Sequence, residues 1–259
     1  MDAPLVLRHD AGAIATLTLN RGERLNPLSS AMLAALQEQL DLVAGDADVR
    51  VVVLAGAGKH FCAGHDLGEM AAHKDRDWQR ELFLRCNAMM MSLVRLPQPV
   101  IARVHGVAVA AGCQLVSMCD LAVASTEARF ALPGIKSGLF CTTPGVGVGR
   151  NLSRKHAMEM LLTGDPIDAA TAERWGLVNR VVAAAELDAA VEALAQKLAG
   201  YSGAVVALGK HKFYEQVERG LDDAYGLAAE TMACNMTYED AAEGIDAFLT
   251  KRTPDWRQR

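Results

Sequence analysis

The residues best placed for chemistry gather at two turns. In the run VIARVHGVAVAAGCQLVSMCD (Val100 to Asp120), a strand-like segment meets the small residues Ala110, Ala111 and Gly112, and a helix-like segment comes next. Small residues at such a turn let a ligand come close to the backbone. The first N–H groups of a helix are unpaired and lie at the positive end of its dipole, so the turn suits an anion or a polarised carbonyl. The side chain that opens this helix is Gln114, an amide that hydrogen-bonds but takes no proton at neutral pH. The second turn is FCAGHDL (Phe61 to Leu67), which ends in His65 and Asp66. Asp66 reads as the cap of the next helix. His60, Cys62, His65 and Asp66 lie close in sequence, but no second ligand cluster occurs at metal-site spacing, so no metal is predicted. Cys141, in LFCTTPG, is a candidate nucleophile without an identifiable histidine partner, and a buried inert thiol is the expectation.

These turns need a rigid frame. The chain has 259 residues, 51% hydrophobic and 22% charged, enough for a large core and against disorder. The net charge of −5 and the absence of a Lys/Arg-rich stretch argue against nucleic acid as a partner. No apolar run reaches the ~18 residues of a membrane span. The six cysteines form no C-x-x-C pair and no secretory signal opens the chain, so reduced thiols in a cytoplasmic protein are expected.

LVLRHDAGAIATLTLN reads as two short strands turning at Ala11-Gly12. The segment LNPLSSAMLAALQEQLDLVAGD reads as a helix capped by Ser29 or Ser30, with Met32, Leu33, Leu36, Leu40 and Val43 on one face. VRVVVLAGAG is an apolar strand of the kind buried on both faces. A helix opens at Asp66, a second covers Trp78 to Leu96, and QPVIARVHGVAVA is a strand again. The alternation predicts a parallel or mixed α/β sheet with crossover helices. From Leu187 onward only helical patterns remain, so an α/β core over residues 1–200 and a helical region over 201–259 are expected.

Taken in order, these fragments resemble the crotonase (enoyl-CoA hydratase/isomerase) superfamily. LNPLS is similar to its L-N-A-L element, FCAGHDL to its F-x-A-G-x-D-L loop, and QPVIARVHGVAVAAGCQLVSMCD to its longest signature. ARFALPGIKSGL, LLTGDPIDAATAERWGLVNRVV and EGIDAFLTKRTPDW match further signatures in the family's order. AAGCQL, FALPGIKSGLFCTTPGV and ALGKHKFY resemble one hydratase-like subgroup, called enoyl-CoA hydratase domain-containing protein three, whose reaction the residues do not reveal.

The resemblance implies a crotonase-type ββα spiral core, a C-terminal helical oligomerisation region and a homotrimer or homohexamer. It implies acyl-CoA thioester as partner, with coenzyme A part of the substrate and no separate cofactor. The family's oxyanion-hole donors fall on the N–H groups of His65 and Ala111. Arg24 is placed to meet a phosphate, and the backbone of Ala63 and His65 to hold adenine and pantetheine. Phe248 and Lys251 match a pair that reaches coenzyme A from a neighbouring subunit. The two glutamates that hold water in the family's hydratases fall on Gln114 and Gly134, and a third position, an aspartate in some relatives, falls near Thr142. Cys141 lies in the loop that faces the acyl group. With both carboxylates replaced, weak or no hydratase activity is expected. Three readings stay open: an enzyme running another enolate or thioester reaction, a non-enzymatic acyl-CoA binder, and a hydratase that has moved its proton transfers to His65 or Glu69.

Overall fold

The computed structural model describes residues 3–258, so Met1, Asp2 and Arg259, at the ends of the two expected spans, lie outside the described residues. β1 (Val6–Ala11) and β2 (Ile14–Leu19) form an antiparallel hairpin around Gly12, whose φ is 58°. In α1 (Ser30–Ala44), the Ser29 hydroxyl accepts the Met32 N–H, and the helical stripe from Met32 to Val43 is buried as its spacing requires. β3 (Val51–Gly56) is buried along its whole length and runs parallel to β2. α2 (Leu67–Ala72) is capped by Asp66, and α3 (Arg76–Arg95) by Asp75.

The segment expected to be one strand is two. β4 (Val100–Val104) and β5 (Val107–Val109) belong to different sheets. Gly106 separates them at φ 58°, and a Cβ there would lie 2.1 Å from the Lys59 carbonyl oxygen, so the bend requires glycine. α4 (Ala111–Met118) comes next, then β6 (Leu121–Ser125) and β7 (Arg129–Ala131), again one strand per sheet. α5 (Thr142–Asn151), α6 (Arg154–Thr163), β8 (Ile167–Asp168), α7 (Ala169–Trp175) and β9 (Arg180–Val182) complete the core.

The large sheet has the order β1-β2-β3-β4-β6-β9 and is parallel from β2 onward; the small one has the order β5-β7-β8. Each turn of the chain lays a strand in the large sheet, a shorter extended piece in the second layer, and then a helix. In the first turn the extended piece is only the Cys62–Ala108 bridge. This repetition is the expected ββα spiral. It brings the starts of α2, α4 and α5 to one end of the molecule. α8 (Leu187–Ala199) closes the outer sheet face, with Leu187, Val191 and Leu194 packed on Ile14, Val53 and Ile101.

The expected division at residue 200 falls in the turn between α8 and α9 (Gly203–Gln216). α10 (Leu221–Asn235) and α11 (Glu239–Thr250) complete the helical tail. α9 is tied to the core by Lys210, whose Nζ donates to Asp120 Oδ2 at 2.7 Å and to the carbonyls of Leu93 and Gln98 at 2.8 and 2.9 Å. Tyr214 donates to the other oxygen of Asp120 at 3.0 Å. Beyond this anchor, Leu221, Tyr225, Met232, Met236, Phe248 and Leu249 leave a broad apolar face exposed. Among the described residues, no helix is long and apolar enough to cross a membrane.

Both partners of the Lys210–Asp120 pair are mostly buried, with side chains 6% and 14% exposed. Lys210→Ala leaves a carboxylate without its cation and should lower stability by about 3–5 kcal/mol in urea unfolding. Lys210→Met combined with Asp120→Asn should cost clearly less, because no charge is stranded.

Candidate functional site

A pocket of about 410 Å³ opens where the FCAGHDL turn, the start of α4 and the loop before α5 meet. His65, Ala111, Gly134, Cys141 and Thr142 line it, with Ala63 beside them. Leu67, Met70, Phe83, Leu139 and Phe140 make most of its wall apolar.

Glycines press the two turns together. Gly64 has φ 88°, and a Cβ on it would lie 2.9 Å from Ala110 Cβ and 3.1 Å from Ala111 N. A Cβ on Gly112 would lie 2.2 Å from the Cys62 carbonyl oxygen. No side chain fits at either point.

Hydrogen bonds then set the direction of the peptide groups. The Ala63 N–H donates to Leu25 O at 3.0 Å, and the Leu28 N–H donates to Gly64 O at 2.8 Å. In a trans peptide the C=O and N–H point to opposite sides. With the Gly64 carbonyl facing Leu28, the His65 N–H faces away from it. At α4 the Ala110 carbonyl accepts the Gln114 N–H at 3.0 Å, so the Ala111 N–H points out of the helix start. Neither the His65 nor the Ala111 N–H has a hydrogen-bond partner among the described residues. Ala110 itself sits at φ 49°, ψ −121°, a conformation that L side chains rarely adopt and that stores strain of roughly 1–3 kcal/mol.

The His65 imidazole stands edge-on to Phe83, ring centroids 5.4 Å apart, and its Nε2 is buried without a partner. Burial pulls its pKa down to about 4, which the Glu69 charge only partly opposes, so the ring is neutral at physiological pH. Glu69 is directed elsewhere: its Oε2 accepts the Ser30 N–H at 2.9 Å, at the start of α1. Cys141 Sγ accepts the Gly134 N–H at 3.3 Å, and burial pushes the thiol above its ordinary pKa, away from thiolate chemistry. A Cβ on Gly134 would lie 2.8 Å from this sulfur, so these two residues share one volume. The Thr142 hydroxyl donates to Phe140 O at 3.2 Å.

Other expected site residues lie apart. Gln114 is buried beneath the turn, its side-chain oxygen without a partner, and does not line the pocket. Arg24 ends a short turn next to Leu25 but also does not line it. Phe248 is 83% exposed and borders a separate groove of about 520 Å³ with Val205, Met236 and Trp256. Lys251 caps α11 in the left-handed region, at φ 57°. Within one chain this C-terminal pair does not reach the pocket. The His60, Cys62, His65 and Asp66 group also disperses: His60 Nδ1 accepts the Val107 N–H, Cys62 is buried with its thiol pushed up to about 12, and Asp66 caps α2. No group of three or more His, Cys, Asp or Glu is arranged to hold a metal among the described residues. Lys136, which the sequence did not single out, lines the pocket while paired with Asp165 at 2.6 Å.

The family model described as enoyl-CoA hydratase/isomerase matches residues 9–259. The rat mitochondrial enoyl-CoA hydratase domain-containing protein 3 is 44% identical over 243 residues, covering 94% of this chain and 81% of the relative. A solved enoyl-CoA hydratase from Mycobacterium smegmatis is 55% identical with a TM-score of 0.96, covering 98% of this chain and 99% of that one. The solved human enoyl-CoA hydratase domain-containing protein 3 is 43% identical with a TM-score of 0.95, covering 97% and 100%. One expectation is overturned here. The rat, Xenopus laevis and human relatives are all named as mitochondrial, which points away from a cytoplasmic protein. Unpaired thiols speak to redox state, not to which reducing compartment holds the chain.

The burial of His65 has a measurable consequence. Its pKa is lower in the folded state than the ordinary 6.5, so between pH 6.5 and about 4 the unfolded chain binds the extra proton. Stability should therefore be fully present above pH 6.5 and fall as the pH drops toward 4. In His65→Leu this fall should be shallower, read from urea midpoints across the range. An unchanged slope would show that the ring is not held neutral by burial.

Proposed function

The chain belongs to the enoyl-CoA hydratase/isomerase family, and from that premise we propose that the pocket receives an acyl-CoA thioester with its carbonyl oxygen between the His65 and Ala111 N–H groups. The observation that carries this reading is the pair of unpartnered N–H groups, held side by side by Gly64 and Gly112. Fixed donors of this kind stabilise the charge that develops on oxygen when an enolate or tetrahedral anion forms. The apolar wall suits an acyl chain. Arg24 lies close to the Leu25–Ala63 contact and is placed to meet a phosphate of coenzyme A, while Ala63 and His65 present backbone to its adenine and pantetheine. Phe248 and Lys251 act from a neighbouring subunit in a homotrimer or homohexamer. The exposed apolar face of α10 and α11 supports such an assembly.

Hydration needs one group to take a proton from water and another to deliver one to the α-carbon. The M. smegmatis relative carries the name of a hydratase, so this is the reaction to test first. At the two positions where the family's hydratases carry glutamate, this chain has Gln114 and Gly134. Neither residue titrates, His65 is a weak base at pKa about 4, and Glu69 is engaged at α1. The reading is an acyl-CoA-binding protein with weak or no hydratase activity. Non-enzymatic binding is the alternative favoured by the unactivated Cys141. Decarboxylation, isomerisation or thioester hydrolysis would use the same donor pair.

Two measurements test this. Saturating acyl-CoA should raise the melting temperature, with a stabilisation of about 2.7 kcal/mol at a hundredfold excess over Kd. No shift across several chain lengths overturns the binding claim. Crotonyl-CoA hydration, measured as loss of enoyl absorbance, should run roughly 10²–10⁴-fold slower for each missing acid/base group than in a relative with both glutamates. Gln114→Glu with Gly134→Glu should stay slow and unstable, because a side chain at 134 collides with Cys141 Sγ. Adding Cys141→Ala removes the sulfur but not the Leu139 carbonyl oxygen, 3.0 Å from the same Cβ, so it should recover only part of the lost stability. A wild-type rate equal to that of ordinary hydratases overturns the weak-turnover reading.

A further inference from the structure

We infer that Asn26 is the positioning residue of the carbonyl-binding pair: its buried amide fixes the loop that carries the His65 N–H against the strand that leads to Ala111. The inference rests on the proposed role of those two N–H groups and adds a residue that touches neither ligand nor reacting atoms.

Asn26 is wholly buried and sits at φ 52°, in the left-handed region that asparagine tolerates better than most residues. Leu25 before it is also left-handed, at φ 64°, where a leucine is strained. Two such residues in a row persist only where the surroundings hold them. Nδ2 of Asn26 donates to the carbonyls of Ala57 and His60 at 2.9 Å and of Phe61 at 3.1 Å. Oδ1 accepts the Arg21 N–H at 2.8 Å. Three acceptors on one side and a donor on the other settle the orientation of the amide. Gly56, at the end of β3, makes room for it: a Cβ there would lie 2.9 Å from Nδ2 and 2.4 Å from Phe61 O.

The amide therefore gathers the whole bend between β3 and the FCAGHDL turn. The turn beyond that bend is held on both sides. On one side Cys62 joins β5, with its N–H donated to Val107 O at 3.1 Å and its carbonyl accepting the Val109 N–H at 3.0 Å. β5 runs directly into Ala110 and Ala111. On the other side the residues flanking Asn26 bond the turn itself, through Leu25 O to Ala63 N–H and Leu28 N–H to Gly64 O. Asn26 thus sits at the hub from which both constraints on the Gly64–His65 peptide are set. Without its two amide hydrogens, three inward carbonyls lose their shared donor, the bend loosens and the His65 N–H drifts from its mate. Leu67 and Met70 of α2 lie just beyond this turn, but the rest of the pocket wall, Phe83 of α3 with Leu139 and Phe140 of the loop before α5, makes none of these bonds.

That separation gives the test. Butyryl-CoA is compared with S-butyl-CoA, a thioether that carries CH2 in place of the carbonyl, by calorimetric titration of the full chain. The variants are Asn26→Asp, which keeps the acceptor and loses the donors, and Asn26→Gly, which keeps the backbone conformation and loses the amide. In the wild type the thioester should bind more tightly than the thioether. In the variants this preference should shrink by about tenfold, the size of one well-placed hydrogen bond, while thioether affinity changes by less than about threefold. Equal weakening of both ligands, or an undiminished preference, overturns the inference. A wild type with no preference for the thioester overturns instead the reading of the donor pair, and the inference falls with it. Where neither variant folds, the wild type decides by NMR: butyryl-CoA should slow hydrogen exchange of the Asn26 side-chain amide more than S-butyl-CoA does, and equal exchange in the two complexes overturns the inference.

Discussion

The site depends on one steric constraint: two turns approach so closely that neither Gly64 nor Gly112 has room for a side chain at the contact. Gly64 against Ala110 and Ala111, and Gly112 against Cys62, are that contact. Once the backbones touch, the peptide groups have little freedom. Gly64 commits its carbonyl to Leu28, Ala110 commits its carbonyl to Gln114, and the N–H groups that remain belong to His65 and Ala111. A pair of free donors beside an apolar pocket is the direct result of those commitments, not an addition to them.

The rest of the fold serves the contact. The spiral repeats one unit, and each repeat delivers a helix start to the same end of the molecule. β5 is bridged to Cys62, so the two turns are parts of one layer rather than two loops meeting by chance. The left-handed backbone at Asn26 is held by the four hydrogen bonds of its amide, and the strained Ala110 packs against the buried core. The anchor of Lys210 on Asp120 holds α9, the first helix of the tail, to the residue just beyond α4. Among the described residues, the pocket lining carries no carboxylate. The site's imidazole is neutral, its thiol is pushed up in pKa, and its carboxamide is sealed beneath the turn.

Much of this was legible in the residues. The stripe of α1, its cap at Ser29 or Ser30, the cap at Asp66 and the helices after Leu187 come from periodicity and side-chain chemistry. The ordered motifs pointed to the spiral and to the family. The break between β4 and β5 was hidden because apolar alternation continues through it; only the backbone clash at Gly106 shows why one strand becomes two. Asn26 was read as part of a motif, and nothing in its neighbours discloses that its three acceptors come from residues 57–61. The conflict between Gly134 and Cys141 was equally invisible, since it joins residues seven apart across a loop. Glu69, named from the sequence as an alternative site for the proton transfers, is a partner of α1. Such contacts are tertiary, and local patterns do not encode them.

The most direct measurement is the structure of the chain in complex with an acyl-CoA. The expected result is a thioester oxygen within hydrogen-bond reach, roughly 2.7–3.1 Å, of both the His65 and Ala111 nitrogens, with the acyl chain against Phe83 and Phe140. A thioester whose oxygen meets neither nitrogen, with the pocket otherwise filled, would contradict the claim that these two N–H groups are the centre of the site.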